Sequence, residues 1–381
     1  MKRLVFAAVL MLAVVGVSWA QEAQCPGCKM DVSGYLAPNF RLIDRGEGLK
    51  NDMGFGMAFN RVTFSGMQDV GPIVKKMGWK VEMDFKEDFE YDLIYAYLQA
   101  YLNESVSFRF GHVKEAFSRE WLHPTYNLLT VDRLITPELA AEGLNYTGYS
   151  YGLELNVQNE MFKLAAGAYD GQGNLSFVGN QDPALDYGLR AIFMATEGVE
   201  IGANLQMKTL PGVLDNDGDW GLALDDGAYQ EEVGTEEAYQ SNTAMAYGFD
   251  LDVQQNVGET MTLWAQAEFG MGDNYQQPEA VVDDEDAPIA WEDLEWNQFQ
   301  YFYAKALLMV NKNIGVHLGY ASFDPNTDVD DNSVTKIVPG LTYRWSDNTR
   351  TQAEVQLVSR DFGPDDNVDY THFVLQQVLV W

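Results

Sequence analysis

The acidic run 215–219 (DNDGD) has the alternating side-chain oxygens with which a loop can bind calcium. The EF-hand pattern, counted from Asp215, places glycine at the sixth position and glutamate at the twelfth, whereas this chain has Trp220 and Asp226 there. The run therefore indicates either a calcium site or a solvated acidic loop. The candidate calcium ligands are Asp215, Asp217 and Asp219.

Cys25 and Cys28 form a Cys-Pro-Gly-Cys motif and are the two cysteines of the chain. The motif lacks the histidine of a c-type haem attachment site, because Lys29 occupies that position. In an oxidising compartment it predicts a local disulfide. The alternative is a metal site that takes two further ligands from elsewhere.

The four histidines, His112, His123, His317 and His372, are the remaining candidates for acid–base chemistry. The chain contains no G-x-S-x-G, no H-E-x-x-H and no clear Ser-His-Asp set. We therefore expect no enzymatic activity and no cofactor beyond calcium in the acidic loops.

The charge of the chain excludes two classes of function. Its 381 residues carry 57 acidic and 24 basic side chains, which gives a formal net charge of -33. A nucleic-acid binder or a polybasic membrane-surface protein needs a basic face, so neither is expected. Aromatic residues make up 13% of the chain, which argues against disorder.

Residues 1–20 have the features of a Sec signal peptide. Lys2 and Arg3 precede the apolar segment 4–17, and small residues at 18 and 20 fit a cleavage site. We expect residues 21–32 to form an N-terminal periplasmic segment and residues 33–381 to form one domain. After residue 20 no apolar run approaches the roughly 18 residues of a spanning helix.

That domain alternates apolar and polar residues with a period of two, which predicts β-strands. In the segment 198–208, for example, Ile201 and Leu205 alternate with Asn204 and Gln206. Sixteen such segments cover 33–44, 54–67, 78–87, 92–103, 105–114, 147–157, 161–170, 185–195, 198–208, 242–256, 259–273, 297–311, 313–323, 333–346, 349–360 and 368–381.

The lengths of these segments and of their connections predict an all-β fold, a transmembrane antiparallel β-barrel of 16 strands. Strands of about ten residues suit a tilted bilayer crossing, and short turns alternate with long loops. Aromatic residues lie near the strand ends, and Trp381 ends the chain. A soluble β-sandwich would have strands of about five or six residues.

Residues 109–118, which read R-x-G-x-x-K-E-x-F-S, followed by Asp132-Arg133, resemble the phosphate-selective porin O and P family. The segments 69–85 and 97–102 add to the resemblance. It implies a sixteen-stranded barrel, often trimeric, in which the loop after the run folds into the lumen as a constriction. The apolar content of loop 115–146 also suits an inward position, and the alternative is a folded extracellular lid.

The resemblance and the strand parity together suggest a set of pore-constriction residues. We expect Lys114, Arg119 and Arg133 to face Glu82 and Asp84 across the lumen. By parity the lumen also contains Arg109, and it contains acids as well as bases, so phosphate selectivity does not carry over. The candidate constriction set is Lys114, Arg119, Arg133, Glu82, Asp84 and Arg109.

The segments 215–240, 279–295, 324–332 and 361–369 are rich in Asp and Glu and contain no Lys or Arg. Such loops can be a solvated surface, concentrate cations at a pore mouth, or bind lipopolysaccharide through divalent ions. The expected function is passive diffusion of small hydrophilic solutes or ions through a homotrimer in the bacterial outer membrane. The alternatives are a solute-specific anion channel, phosphate-like, and a structural or adhesive barrel with divalent-binding loops.

Overall fold

The structure is a computed structural model, and it describes residues 29–45, 51–85, 91–141, 144, 146–170, 185–214, 220–222, 241–278, 296–329, 332–361 and 368–381. The segment 1–20, Cys25 and Cys28, and the candidate calcium ligands Asp215, Asp217 and Asp219 lie outside these residues.

The described chain consists almost wholly of β-strands. They are β1 (Lys29–Asp44), β2 (Asp52–Asp69), β3 (Lys76–Phe85), β4 (Tyr91–Tyr101), β5 (Val106–Lys114), β6 (Tyr149–Gln158), β7 (Phe162–Tyr169), β8 (Asp186–Thr196), β9 (Val199–Leu214), β10 (Trp220–Leu222), β11 (Ser241–Val257), β12 (Met261–Pro278), β13 (Trp296–Met309), β14 (Ile314–Asp324), β15 (Val334–Ser346), β16 (Thr349–Arg360) and β17 (Val368–Val380).

Sixteen of these strands close into one antiparallel barrel. Each pairs with its neighbours along the chain, and β1 closes the ring by pairing with β17 as well as β2. Within the described residues the short β10 pairs with the far end of β9, while β9 itself pairs with β11. The prediction of a sixteen-stranded barrel is therefore confirmed, and β10 is an addition that the period-two pattern did not indicate.

The two faces of the barrel differ in chemistry, as the alternation predicted. On β14 the side chains of Ile314, Val316, Leu318 and Tyr320 point outward and are exposed, whereas His317 points inward and is buried. The same alternation places Asn204, Gln206 and Lys208 of β9 inside. An apolar outer face with a polar interior is the pattern of a barrel surrounded by lipid.

The connections define two ends of the barrel. Strands β2–β3, β4–β5, β6–β7, β8–β9, β11–β12, β13–β14 and β15–β16 are joined by short turns at one end, here called the short-turn end. The other connections lie at the opposite, long-loop end.

Within the described chain, no helix has the length and apolar content needed to cross a membrane.

Candidate functional site

The segment between β5 and β6, residues 115–148 and here called the inserted loop, lies inside the barrel. It contains α1 (Arg119–Leu122), a 3-10 turn (Thr125–Asn127) and α2 (Thr136–Ala141). Its contacts reach the far walls: Arg119 binds Asp250 of β11, and Arg350 of β16 donates to the Leu128 carbonyl. The inward-folded position expected for this loop is thus confirmed.

An apolar contact holds the inserted loop against one side of the wall. Phe117 and Tyr146 of the loop are fully buried and form tilted ring contacts with each other, and Tyr146 also contacts Phe299 of β13. Leu134 and Leu139 belong to the same buried cluster, which includes inward-facing residues of β11 and of β13–β16. Burial of each such side chain contributes about 1.5–3 kcal/mol, so apolar packing holds the loop firmly against the wall.

Glu120, in α1, links this part of the inserted loop to the segment at the start of α2, and it also binds the barrel wall. Its carboxylate accepts hydrogen bonds from the backbone amides of Leu134, Ile135 and Thr136 and from the Lys305 ammonium of β13 at 2.8 Å. Burial alone would raise the pKa of this carboxyl, but Lys305 and the amides stabilise the anion. Its pKa therefore falls to about 2.

Glu268 of β12 fixes the start of α1 in a similar way. It accepts hydrogen bonds from the Ser118 hydroxyl at 3.2 Å and from the Arg119 amide at 2.9 Å. Tyr301 and Tyr303 of β13 donate to the same carboxylate. Ser118 has a φ of 60°, a conformation rare for a residue with a side chain, and these contacts hold it there.

Arg119, one of the predicted constriction cations, lies against acids of the β9–β11 wall. Its guanidinium binds Asp250, Asp252 at 3.0 Å and Glu200 at 3.0 Å. Burial would lower the pKa of Arg119, but Asp250 and its neighbours outweigh that effect and raise it, so the group stays charged. The structure therefore pairs Arg119 with a different set of acids from Glu82 and Asp84.

Lys114 and Arg133, the other two predicted cations, meet at Trp121 of α1. The Lys114 ammonium donates to the Trp121 carbonyl at 2.6 Å and lies 4.6 Å from the indole ring. The Arg133 guanidinium lies 5.4 Å from that ring and donates to the carbonyls of Glu120 and His123. Among the described residues neither cation forms an ion pair, and both donate to backbone carbonyls of the inserted loop instead.

Glu82 and Asp84, the predicted acidic side of the constriction, lie together on β3. Arg61 of β2 binds Asp84 at 2.8 Å and Glu82 at 3.5 Å, and Lys80 binds Glu82 at 2.7 Å. Arg109, the last residue of the predicted set, binds Glu154 of β6 at 3.0 Å instead.

The six predicted residues thus lie in several separate sets of ion pairs and hydrogen bonds. Their role as a constriction remains a prediction.

Two cavities lie on either side of the inserted loop. One of about 550 Å³ opens at the short-turn end, and its lining includes four acids together with Arg119, His123 and Trp264: Glu160, Glu197, Glu200 and Asp252. The other, of about 400 Å³, lies in the long-loop half of the lumen beside β1 and β15–β17. In the described part of the chain, no group of three or more His, Cys, Asp or Glu side chains is arranged to hold a metal ion.

Sequence reasoning missed the residues that position the loop. Glu115 is fully buried and binds Lys208 of β9 at 2.7 Å, and Glu120 and Glu268 are equally buried. Strand parity places Lys208, Glu268 and Lys305 inside the barrel. No local pattern identifies their partners, because the loop meets them only through the tertiary fold.

Comparison with known proteins identifies the fold. No family profile and no curated protein sequence matches the chain. Similar solved structures include the outer membrane channel DcaP of Acinetobacter baumannii, with 15% identity, 93% of this chain and 98% of that chain covered, and a TM-score of 0.63.

Two porins are also similar. The anion-selective porin of Comamonas acidovorans has 11% identity, covers 93% and 100% of the two chains and gives a TM-score of 0.62. Pseudomonas putida OprB has 10% identity, covers 93% and 94%, and gives a TM-score of 0.61. The chain therefore has the fold of outer-membrane porins.

Proposed function

We propose that this protein is a porin of the bacterial outer membrane, exported by the Sec pathway, through which small hydrophilic solutes and ions diffuse passively. The observation that carries the proposal is the inserted loop inside a sixteen-stranded barrel. Barrels of this size leave an aqueous channel, and a packed loop narrows that channel to a passage of defined shape and charge. No catalytic step and no resident cofactor are part of the proposal.

The outer face supports the proposed location. Apolar and aromatic side chains cover it on strands long enough to cross a bilayer, as the outward residues of β14 illustrate. We further propose that the protein forms a homotrimer in contact with outer-membrane lipid and lipopolysaccharide. A trimer form is described for OmpT of Vibrio cholerae, whose fold is similar.

A second candidate is an anion channel of the phosphate-selective O and P type. Lys114 and Arg133, which lack ion-pair partners among the described residues, favour it. The acids around the short-turn cavity oppose it, because they would attract cations at that end. A structural or adhesive barrel is the candidate from another class.

The test is the zero-current potential of the purified protein in a planar bilayer under a tenfold KCl gradient. Stable conductance supports a porin, and the sign of the potential gives its preference. An anion-selective sign would indicate that Lys114 and Arg133 determine the selectivity. A cation-selective sign would indicate that the acids around the short-turn cavity determine it. No conductance from protein with heat-modifiable gel mobility, and hence a folded barrel, would overturn the porin proposal in favour of a structural role.

A further inference from the structure

The cavity in the long-loop half of the lumen has an unusual lining. Three cationic side chains border it, Arg41 of β1, Arg133 of the inserted loop and Lys336 of β15, with Asp132 as the acid beside them. Its volume of about 400 Å³ is within the range of small-molecule sites. A solute that enters from the long-loop end meets this cavity before the short-turn cavity.

Arg41 keeps hydrogen-bonding capacity for a bound molecule. Arg41 donates to Asp132 through one terminal nitrogen at 2.8 Å, and about a third of its side chain is exposed. Lys336 donates to the Leu134 carbonyl at 3.0 Å. Three cations against one carboxylate give the lining a net positive charge, so it favours an anion.

Part of the remaining lining is apolar. Phe59, Leu134 and Val338 border the same cavity. An inorganic anion gains nothing from these surfaces, whereas a carboxylate attached to an apolar body would bury that body against them. The chemistry of the lining thus favours an organic anion over phosphate.

His372 of β17 supplies a second, independent observation. The Gln356 amide nitrogen donates to Asp132 and Glu354, so its carbonyl oxygen faces the imidazole and accepts from Nδ1 at 3.2 Å. His372 lines the cavity and is only 6% exposed, and its Nε2 is buried without a hydrogen-bond partner among the described residues. Because this atom lies at the cavity, a molecule bound there can complete its hydrogen bonding.

We propose that this cavity is a subsite for a small organic anion, a carboxylate on an apolar body, which Arg41 and Lys336 bind as it enters. The inference rests on the proposed porin function and names the class of solute. Binding takes up a proton on His372 Nε2, which then donates to the anion. The other charged groups around this ring are Arg41, Asp132, Arg133, Lys336 and Glu354, and a bound anion offsets the repulsion from the three cations.

The experiment is calorimetric titration of the purified full-length protein with benzoate, acetate and inorganic phosphate in detergent. We expect benzoate to bind at least about tenfold more tightly than acetate or phosphate, because its ring is buried. Equal affinity for all three anions would overturn the organic-anion assignment, and no benzoate binding would overturn the subsite.

Matched variants locate the site. Lys336→Gln should weaken benzoate binding about tenfold, the effect of one lost charge-assisted hydrogen bond. Arg344→Gln removes the same charge from β15 outside the cavity lining and should leave the affinity unchanged. An equal loss in both variants would show a general effect of lumen charge and would refute the subsite.

The pH dependence tests the role of His372. Benzoate should bind more tightly at pH 5.5 than at pH 8 in the unaltered protein, and His372→Gln should remove that difference. A difference that persists in His372→Gln would refute proton uptake at this residue.

Conductance of the same preparation separates the two proposals. A conducting protein without benzoate binding refutes only the subsite, and a non-conducting protein that binds benzoate refutes only the porin function.

Discussion

Glu120 of the inserted loop and Lys305 of β13 form an ion pair of 2.8 Å in which neither side chain is exposed to solvent. The same carboxylate binds the amides of Leu134 and Ile135, so one residue connects α1 and the segment just before α2 to the wall. The position of the inserted loop thus depends on a charge pair inside the barrel, in addition to the apolar contacts of Phe117 and Tyr146.

Glu120→Gln should destabilise the protein, because it leaves Lys305 as a buried charge without its partner. Loss of one member of a buried pair costs about 3–5 kcal/mol. The control is Arg45→Gln, which breaks an ion pair with Asp52 whose side chains are about half exposed, and such pairs contribute about 0–1 kcal/mol. The midpoint of urea unfolding measures both effects, and equal shifts in the two variants would contradict the proposed importance of the buried pair.

The barrel could be predicted from the sequence because its signal is local. Alternation along each strand gives the face of every residue, and it placed Glu268 and Lys305 correctly inside. The partners of the inserted loop could not be predicted, since Glu120 and Lys305 lie 185 residues apart. Arg119 illustrates the same limit: its charge suggested a lumen cation, but only the tertiary fold shows that Asp250, Asp252 and Glu200 surround it.

Acid should loosen the inserted loop in two steps. Burial, and then Lys305, lower the pKa of His123 to about 4, whereas the unfolded value is about 6.5. The unfolded chain therefore takes up this proton first, and stability falls from pH 6.5 to 4. Glu120, with a pKa of about 2 against about 4.3 in the unfolded chain, contributes stability above pH 4.3 that is lost as the pH falls toward 2.

The variant His123→Gln tests this assignment. It should remove the upper step and keep the lower one in the pH dependence of the urea midpoint. An unchanged upper step would show that other groups titrate there.

Arg119→Gln should make the channel more selective for cations. The change leaves Asp250, Asp252 and Glu200 with less positive charge beside them, so the lumen becomes more negative. Lys163→Gln is the comparison, because Lys163 pairs with Glu200 and its side chain is 45% exposed, so solvent screens its loss. The zero-current potential should shift further toward cations for Arg119→Gln, and a shift toward anions would contradict the electrostatic account.

Gly111 lies in β5 just before the inserted loop and sets the path of the strand there. Its φ of 130° is open only to glycine, and a side-chain carbon at this position would overlap the carbonyl oxygen of Ala96 in β4. Gly258 also has a positive φ, of 75°, but a side-chain carbon there would meet no atom within 4 Å. Gly258→Ala should therefore cost only about 1–2 kcal/mol for the backbone conformation, whereas Gly111→Ala should cost more because the β4–β5 pairing must also shift. Urea midpoints of the two variants make the comparison, and an equal loss would show that the contact with Ala96 relaxes without cost.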